Sequence, residues 1–260
     1  MTRSTQKALN VAYLMFSLTL PGALCAAQIS PSSPCPSSAA PTQGVRESWA
    51  LLIGINRYKN SRTQVPTSTF NDLNGSENDV MSMSQILRDN FQFKDDHICT
   101  LKSENATRDG ILGAIQQHLI GKAKDGDVVV IHYSGHGSQV PNPDLPNGAD
   151  GTIVPYDARM QGAFDITGNE LSEYLRRIRT KYVTVILDSC YSGDLIRSRS
   201  LSAVRTIPPD PRQRPDIPVS PAGSRGVRKV DMLANGGSFA LITAGSSIEE
   251  ANEALLERRQ

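Results

Sequence analysis

Four near-continuous apolar runs punctuate the chain: Trp49–Ile55 (WALLIGI), Val128–Tyr133 (VVVIHY), Val183–Leu187 (VTVIL) and Ser238–Thr243 (SFALIT). Such runs, rather than strict alternation, are what a strand shows when both faces of its sheet are covered. His97–Lys102 (HICTLK) is a weaker strand, nearer an edge. Between the runs the apolar period becomes helical. Residues 77–91 place Val80, Met83, Ile86 and Leu87 on one face, and residues 108–122, capped by Thr107, do so with Ile111, Leu112, Ile115 and Leu119. A third helix starts at Thr167, where Thr167 and Glu170 have capping-box spacing, and carries Leu171, Tyr174, Leu175 and Ile178. Strand–helix alternation of this kind predicts an α/β fold with a mostly parallel sheet covered on both faces. The ligand site of such a sheet lies beyond the carboxyl ends of its strands, where the strand order switches.

Composition adjusts this picture. The 260 residues carry 27 Lys+Arg against 26 Asp+Glu, so the basic excess that nucleic-acid binding requires is missing. Hydrophobic content is 38%, diluted by two stretches that cannot bury enough apolar area to fold. One is the Ser/Pro-rich linker 28–45, and the other is a basic, Pro-rich loop at 198–229. Residues 1–27 run from Arg3 and Lys7 through an apolar Val11–Leu20 to small residues around Cys25–Ala27, the order of an export signal. The expectation is an exported protein, periplasmic or secreted, whose folded domain occupies 46–260. The alternative is a membrane anchor, if the segment stays uncleaved. Cysteines 25, 35, 99 and 190 are too few and scattered for a disulfide scaffold. Cys99 reads as a small buried hydrophobe, His132 as a core histidine, and His97 and His118 as surface residues.

The informative chemistry sits at two strand ends. VVVIHY runs into Ser134-Gly-His136-Gly-Ser138-Gln139, and VTVIL runs into Asp188-Ser-Cys190-Tyr-Ser-Gly193. A thiol with an ordinary pKa of about 8.5 is mostly protonated at neutral pH and needs a nearby His to act as a nucleophile. The 54 residues from His136 to Cys190 suffice for one loop, one helix and a right-handed crossover between neighbouring strands. The N–H groups of Gly137 and Cys190 are the candidate oxyanion donors of such a site.

On these residues the sequence resembles the caspase-like cysteine peptidases, and among them the metacaspases (peptidase family C14). YSGHGSQ and DSCYSG look like that family's His and Cys boxes, and the resemblance covers roughly 48–250. It implies a caspase-like three-layer α/β/α sandwich with His136 as general acid/base and Cys190 as nucleophile. Leu73-Asn-Gly75-Ser76-Glu-Asn78-Asp79 resembles the family's stretch after the first strand. By that resemblance Asp79 and Asp188 form an acidic specificity pocket walled by Ser134, which selects Arg or Lys before the scissile bond of a protein or peptide substrate. The plainer alternatives are a helix N-terminal acid for Asp79 and a loop-orienting acid for Asp188.

Departures from the family pattern set further expectations. The cysteine near the start of the first helix is Ser76 here. Many relatives bind calcium through an Asp-Asp-Glu stretch that reads Gly168-Asn169-Glu170 in this chain. Asp150, Asp157, Asp165 and Asp194 remain nearby, but the site looks depleted for an ion that takes six to eight oxygens. The expectation is activity with no cofactor and no firm calcium requirement. Family members usually continue with another strand and helix beyond the point where this chain ends. In the 198–229 region, Arg197, Arg199, Arg205, Arg212, Arg214, Arg225, Arg228 and Lys229 are candidate self-cleavage positions, unless the stretch is simply a solvated loop. Two other functions stay open: an exported peptidase of legumain or gingipain type, and an inert module that binds basic peptides.

Overall fold

The computed structural model describes residues 35–36, 44–142, 149–189, 205, 207–210 and 239–243. The export signal, most of the 28–45 linker, Cys190, Asp194 and most of the 198–229 loop lie outside these residues.

Five parallel strands form the central sheet: β1 (Ser48–Gly54), β2 (Ile98–Lys102), β3 (Val128–Ser134), β7 (Tyr182–Asp188) and β8 (Phe239–Thr243), in the order β2-β1-β3-β7-β8. The chain moves one way from β1 to β2 and the other way from β3 onward, so the order switches between β1 and β3. Helix α1 (Ser76–Phe91) covers one face through Val80 and Leu87, packed with Ala50, Leu52 and Val130. Helix α2 (Arg108–Ala114), which continues as a π-helical stretch over Ile115–Ile120, covers the other face together with α3 (Gly168–Leu175). There Trp49, Leu51 and Ile53 pack with Ile111, Ile115, Leu119, Leu171 and Leu175. Alternate residues of β1 therefore feed two separate apolar layers, which is why its sequence shows no polar face. The result is a three-layer α/β arrangement around a parallel sheet.

The predicted elements match closely, with instructive differences. The apolar stripe of α1 is narrower than its sequence implies. Ile86 is exposed, and the small Ser76 and Ser84 take the buried turns. Small residues suit this face because α1 comes very close to β1. A Cβ on Gly54 would stand 2.5 Å from the carbonyl oxygen of Ser76. Thr107 and Thr167 cap their helices by accepting from the N–H groups of Gly110 and Glu170. Glu170 does not complete a capping box, since its carboxylate pairs with Arg108 instead.

Between β3 and β7 the chain holds more than one loop and one helix. It also forms a three-stranded antiparallel sheet of β4 (Gly137–Pro141), β5 (Ala149–Ile153) and β6 (Ile166–Thr167). Its strands are short, polar and glycine-bearing, so they carry no apolar run for the sequence to announce.

The cysteine and histidine assignments need correction. Cys35 and Cys99 form a disulfide, so Cys99 is neither a free core thiol nor a bystander, and the 28–45 stretch is tied to the domain at Cys35. His97 and His118 are buried rather than on the surface. His97 stacks on Trp49 at 3.9 Å, and His118 meets the same indole edge-on while its Nε2 bonds the His97 carbonyl. Burial lowers the His118 pKa from its ordinary 6.5 to about 4, keeping the ring neutral. His132 does lie in the core, and burial lowers its pKa too, although Asp188 and Asp79 pull the other way.

Candidate active site

β3 and β7 are neighbours in register, with Ser134 opposite Asp188, so the residues that open the two chemically marked turns lie side by side at the end of the sheet. β1 ends at the same level beside Ser134. The site therefore sits at the carboxyl end of the sheet, next to the strand-order switch, where the topology puts a ligand cleft.

His136 is buried and held from several sides. Its ring lies 4.9 Å from that of Tyr58 and 5.7 Å from that of Phe70. Its backbone N–H donates to the Tyr58 hydroxyl at 2.7 Å, and its carbonyl accepts from the Tyr133 hydroxyl at 2.6 Å. Gly135 is required here, because a Cβ at that position would come within 2.6 Å of the Tyr133 hydroxyl and 2.9 Å of the Tyr58 hydroxyl. The His136 Nε2 stands 2.7 Å from the Asn71 carbonyl oxygen. A carbonyl only accepts, so Nε2 carries the proton and Nδ1 is the ring atom able to take and return one. Asn71 thus orients the ring through its main chain. Burial raises the Tyr58 hydroxyl far above its ordinary pKa, so this support stays neutral. Neither Tyr58 nor Asn71 could be singled out from sequence: one is an ordinary core aromatic and the other acts through its backbone.

The expected pocket residues converge. The Ser134 hydroxyl donates to Asp79 Oδ2 at 2.7 Å, and Asp188 flanks Ser134 across the strand pair. Between the carboxylates lies the guanidinium of Arg205. One nitrogen contacts Asp79 Oδ2 at 2.8 Å, and the other contacts the Ser134 hydroxyl at 2.8 Å, the Asp188 carbonyl oxygen at 3.0 Å and the Asp188 carboxylate. The Arg205 carbonyl oxygen accepts from the Gly137 N–H at 2.8 Å, the distance suited to an oxyanion donor. Cys190, the other expected donor and nucleophile, lies outside the described residues, although its neighbour Ser189 is buried at the end of β7.

The segment around Arg205 is thus not a solvated loop. Arg205, Ile207 and Asp210 are 5%, 2% and 2% exposed. Two adjacent carboxylates repel each other until a cation enters, and this Arg supplies one from within the chain. The sequence offered eight basic candidates in and beside this loop and weakened only Arg214, which Pro215 follows.

The acids expected near a calcium site are separately engaged. Asp165 pairs with Arg159 at 2.9 Å, Asp157 accepts from the Arg108 N–H at 2.8 Å, and Asp150 accepts from the Asn169 N–H at 3.3 Å. Glu170 pairs with Arg108. Among the described residues no group of three or more potential metal ligands converges, and Asp194 lies outside them.

A family model described as the metacaspase, peptidase C14 domain matches residues 49–198. The chain is 33% identical over 161 residues to Metacaspase-9 of Arabidopsis thaliana, covering 58% of this chain and 45% of that protein. It is 36% identical over 161 residues to Metacaspase-1 of Schizosaccharomyces pombe, covering 58% and 35%. It is 31% identical over 219 residues to Metacaspase-1A of Aspergillus oryzae, covering 78% and 49%. The chain spans less than half the length of each of these relatives. Among solved structures, a Geobacter sulfurreducens protein aligns with a TM-score of 0.47 at 28% identity, covering 62% of this chain and 58% of that one. With a matching model over more than half of its length, carrying both the His and the Cys boxes, the chain belongs to the metacaspase, peptidase C14, family.

Proposed function

We propose that this protein is a cysteine endopeptidase that cleaves peptide bonds after Arg or Lys. The observation that carries the reading is Arg205: a basic side chain between Asp79 and Asp188, with its own carbonyl on the Gly137 N–H. A substrate arginine held in the same way presents its carbonyl carbon to Cys190. His136 takes the thiol proton through Nδ1, and the thiolate adds to the carbonyl carbon. The oxyanion is held by the N–H groups of Gly137 and Cys190. The carbon–nitrogen bond then breaks as His136 returns the proton to the leaving amine, and water hydrolyses the thioester. The same geometry serves an inert basic-peptide module if the thiol does not react.

Fluorogenic peptides ending in Arg, Lys and Asp, assayed beside Cys190→Ala, separate these readings. Turnover of the basic peptides that vanishes in the variant supports the peptidase. Binding without turnover supports the inert module, and turnover after Asp overturns the pocket. We further propose turnover without a firm calcium requirement; activity lost in chelator and restored by calcium would refute this. In this reading the Arg205–Thr206 bond is the self-cleavage position, an idea sunk by Cys190→Ala protein that still fragments there. Export is supported by the Cys35–Cys99 disulfide, since such bonds persist in oxidising compartments. Membrane attachment follows only if residues 1–27 remain uncleaved.

A further inference from the structure

The segment after Arg205 occupies a second, continuous recognition surface. Gly137 pairs with it through two backbone hydrogen bonds, donating to the Arg205 carbonyl at 2.8 Å and accepting from the Ile207 N–H at 3.0 Å. Among the described residues β4 is an edge strand of the small sheet, and this segment adds to its outer side as a further strand would. Ser138 continues the contact: its hydroxyl reaches the carbonyl oxygens of Ile207 at 3.1 Å and Pro208 at 3.0 Å. The Ile207 side chain enters the main core cluster. Pro208 and Pro209 hold the chain extended and have no N–H to satisfy. Asp210 then meets Arg159 at 3.6 Å, where both side chains are almost fully buried.

Arg159 is held in place there by an acid of the domain, and Asp210 adds a longer-range ion pair to it. Its Nε and one Nη bond both carboxylate oxygens of Asp165, at 3.2 and 2.9 Å, and that Nη also contacts the Ser138 hydroxyl at 3.1 Å. The guanidinium is thus fixed by a bidentate partner on the domain. Arg159 also has φ 66°, a left-handed conformation that costs a non-glycine residue energy and persists only where its surroundings enforce it.

We propose that Gly137, Ser138 and Arg159 form a subsite for the residues following the scissile bond. It selects an apolar side chain two positions after the basic residue and an acid five positions after it. The inference rests on the reading of Arg205 as the residue before that bond. It accounts for the choice among the eight basic candidates. Arg205 alone is followed by an apolar residue at the second position, Ile207, together with an acid at the fifth, Asp210. For Arg199 and Arg225 the second residues are Leu201 and Val227, but the fifth are Val204 and Val230.

The test uses internally quenched peptides spanning Ser202 to Arg212 of this sequence. Two altered versions carry Asp→Asn at the position of Asp210 or Ile→Ser at that of Ile207. A short fluorogenic Arg peptide with nothing after the cleaved bond reads the basic pocket alone. Each alteration is expected to lower kcat/KM about tenfold, mainly through KM. Protein carrying Arg159→Gln should lose the discrimination between Asp and Asn while still turning over the short peptide. Because Arg159→Gln strands the buried Asp165, the peptide alterations decide the matter if that variant does not fold. Equal turnover of all three long peptides beside an active short one overturns the subsite and leaves the peptidase reading intact. If nothing is turned over, that reading fails, and anisotropy on Cys190→Ala protein decides the subsite. Weaker binding of the altered peptides upholds it, and equal binding overturns it.

Discussion

Both ends of the central sheet hold carboxylates, buried at the amino end and about a third exposed at the carboxyl end, and they satisfy them in opposite ways. At the amino end Asp127 accepts from the Glu47 N–H at 2.9 Å, the Trp49 indole at 3.1 Å and the Lys124 N–H at 2.9 Å. One partner lies in β1, and the other two are backbone N–H groups just before β1 and β3. At the carboxyl end Asp79 and Asp188 share a cation carried by a segment from the long basic loop. The first arrangement is closed and structural. The second holds charge that an incoming basic side chain can claim, which is what a binding pocket needs.

This contrast can be broken by experiment, and the largest effect is expected at the pocket. Replacing both Asp79 and Asp188 by Ala should lower kcat/KM for Arg-terminated peptides about a thousandfold, since two charge-assisted contacts are lost. The melting temperature should fall less than in Asp127→Ala protein, because these two carboxylates are already about a third exposed. A collapse in stability instead would make this pair as structural as Asp127. At the other end, Asp127→Ala strands three donors and should cost about 3 kcal/mol in denaturant unfolding, with turnover per folded molecule unchanged.

A smaller effect comes from pH. The folded protein holds His118 neutral down to about 4, whereas the unfolded chain protonates it near 6.5. The unfolded state therefore binds the proton first as pH falls, and stability drops through that window. The His118 share of the loss should be about 2 kcal/mol between pH 7 and pH 5, and His118→Gln should remove that share while leaving the contribution of His132. A profile unchanged by that substitution would show that the ring takes no part. The smallest effects are at the helix caps, where Thr107→Ala and Thr167→Ala should each lower stability by about 1 kcal/mol. These substitutions should leave both ends of the sheet working.

The parallel strands, the three helices and the turn at Ser134–Gly137 were legible in the sequence because local patterning carries them: apolar runs, a helical period and capping threonines. The antiparallel sheet was not, since Gly137–Pro141 and Ala149–Ile153 lack an apolar signature. The burial of His97 and His118 was equally hidden. Trp49 and the surrounding backbone create that environment, and no neighbouring residue in the sequence advertises it. Cys35 and Cys99 lie 64 residues apart, a pairing that spacing alone cannot fix.

What the sequence determined by itself was the α/β class; its two strand-end turns pointed to His136 and Cys190, and its family resemblance to Asp79 and Asp188 as a pocket walled by Ser134. Only the tertiary structure brought Asp79, Ser134 and Asp188 together, made Asn71 and Tyr58 the supports of His136, and set Arg205, the one basic candidate among the described residues, between the two carboxylates. The reason is physical: patterns of three to seven residues encode which face is buried and where an element stops. Which charge meets which, across 126 positions in the case of Asp79 and Arg205, depends on sheet order and strand register.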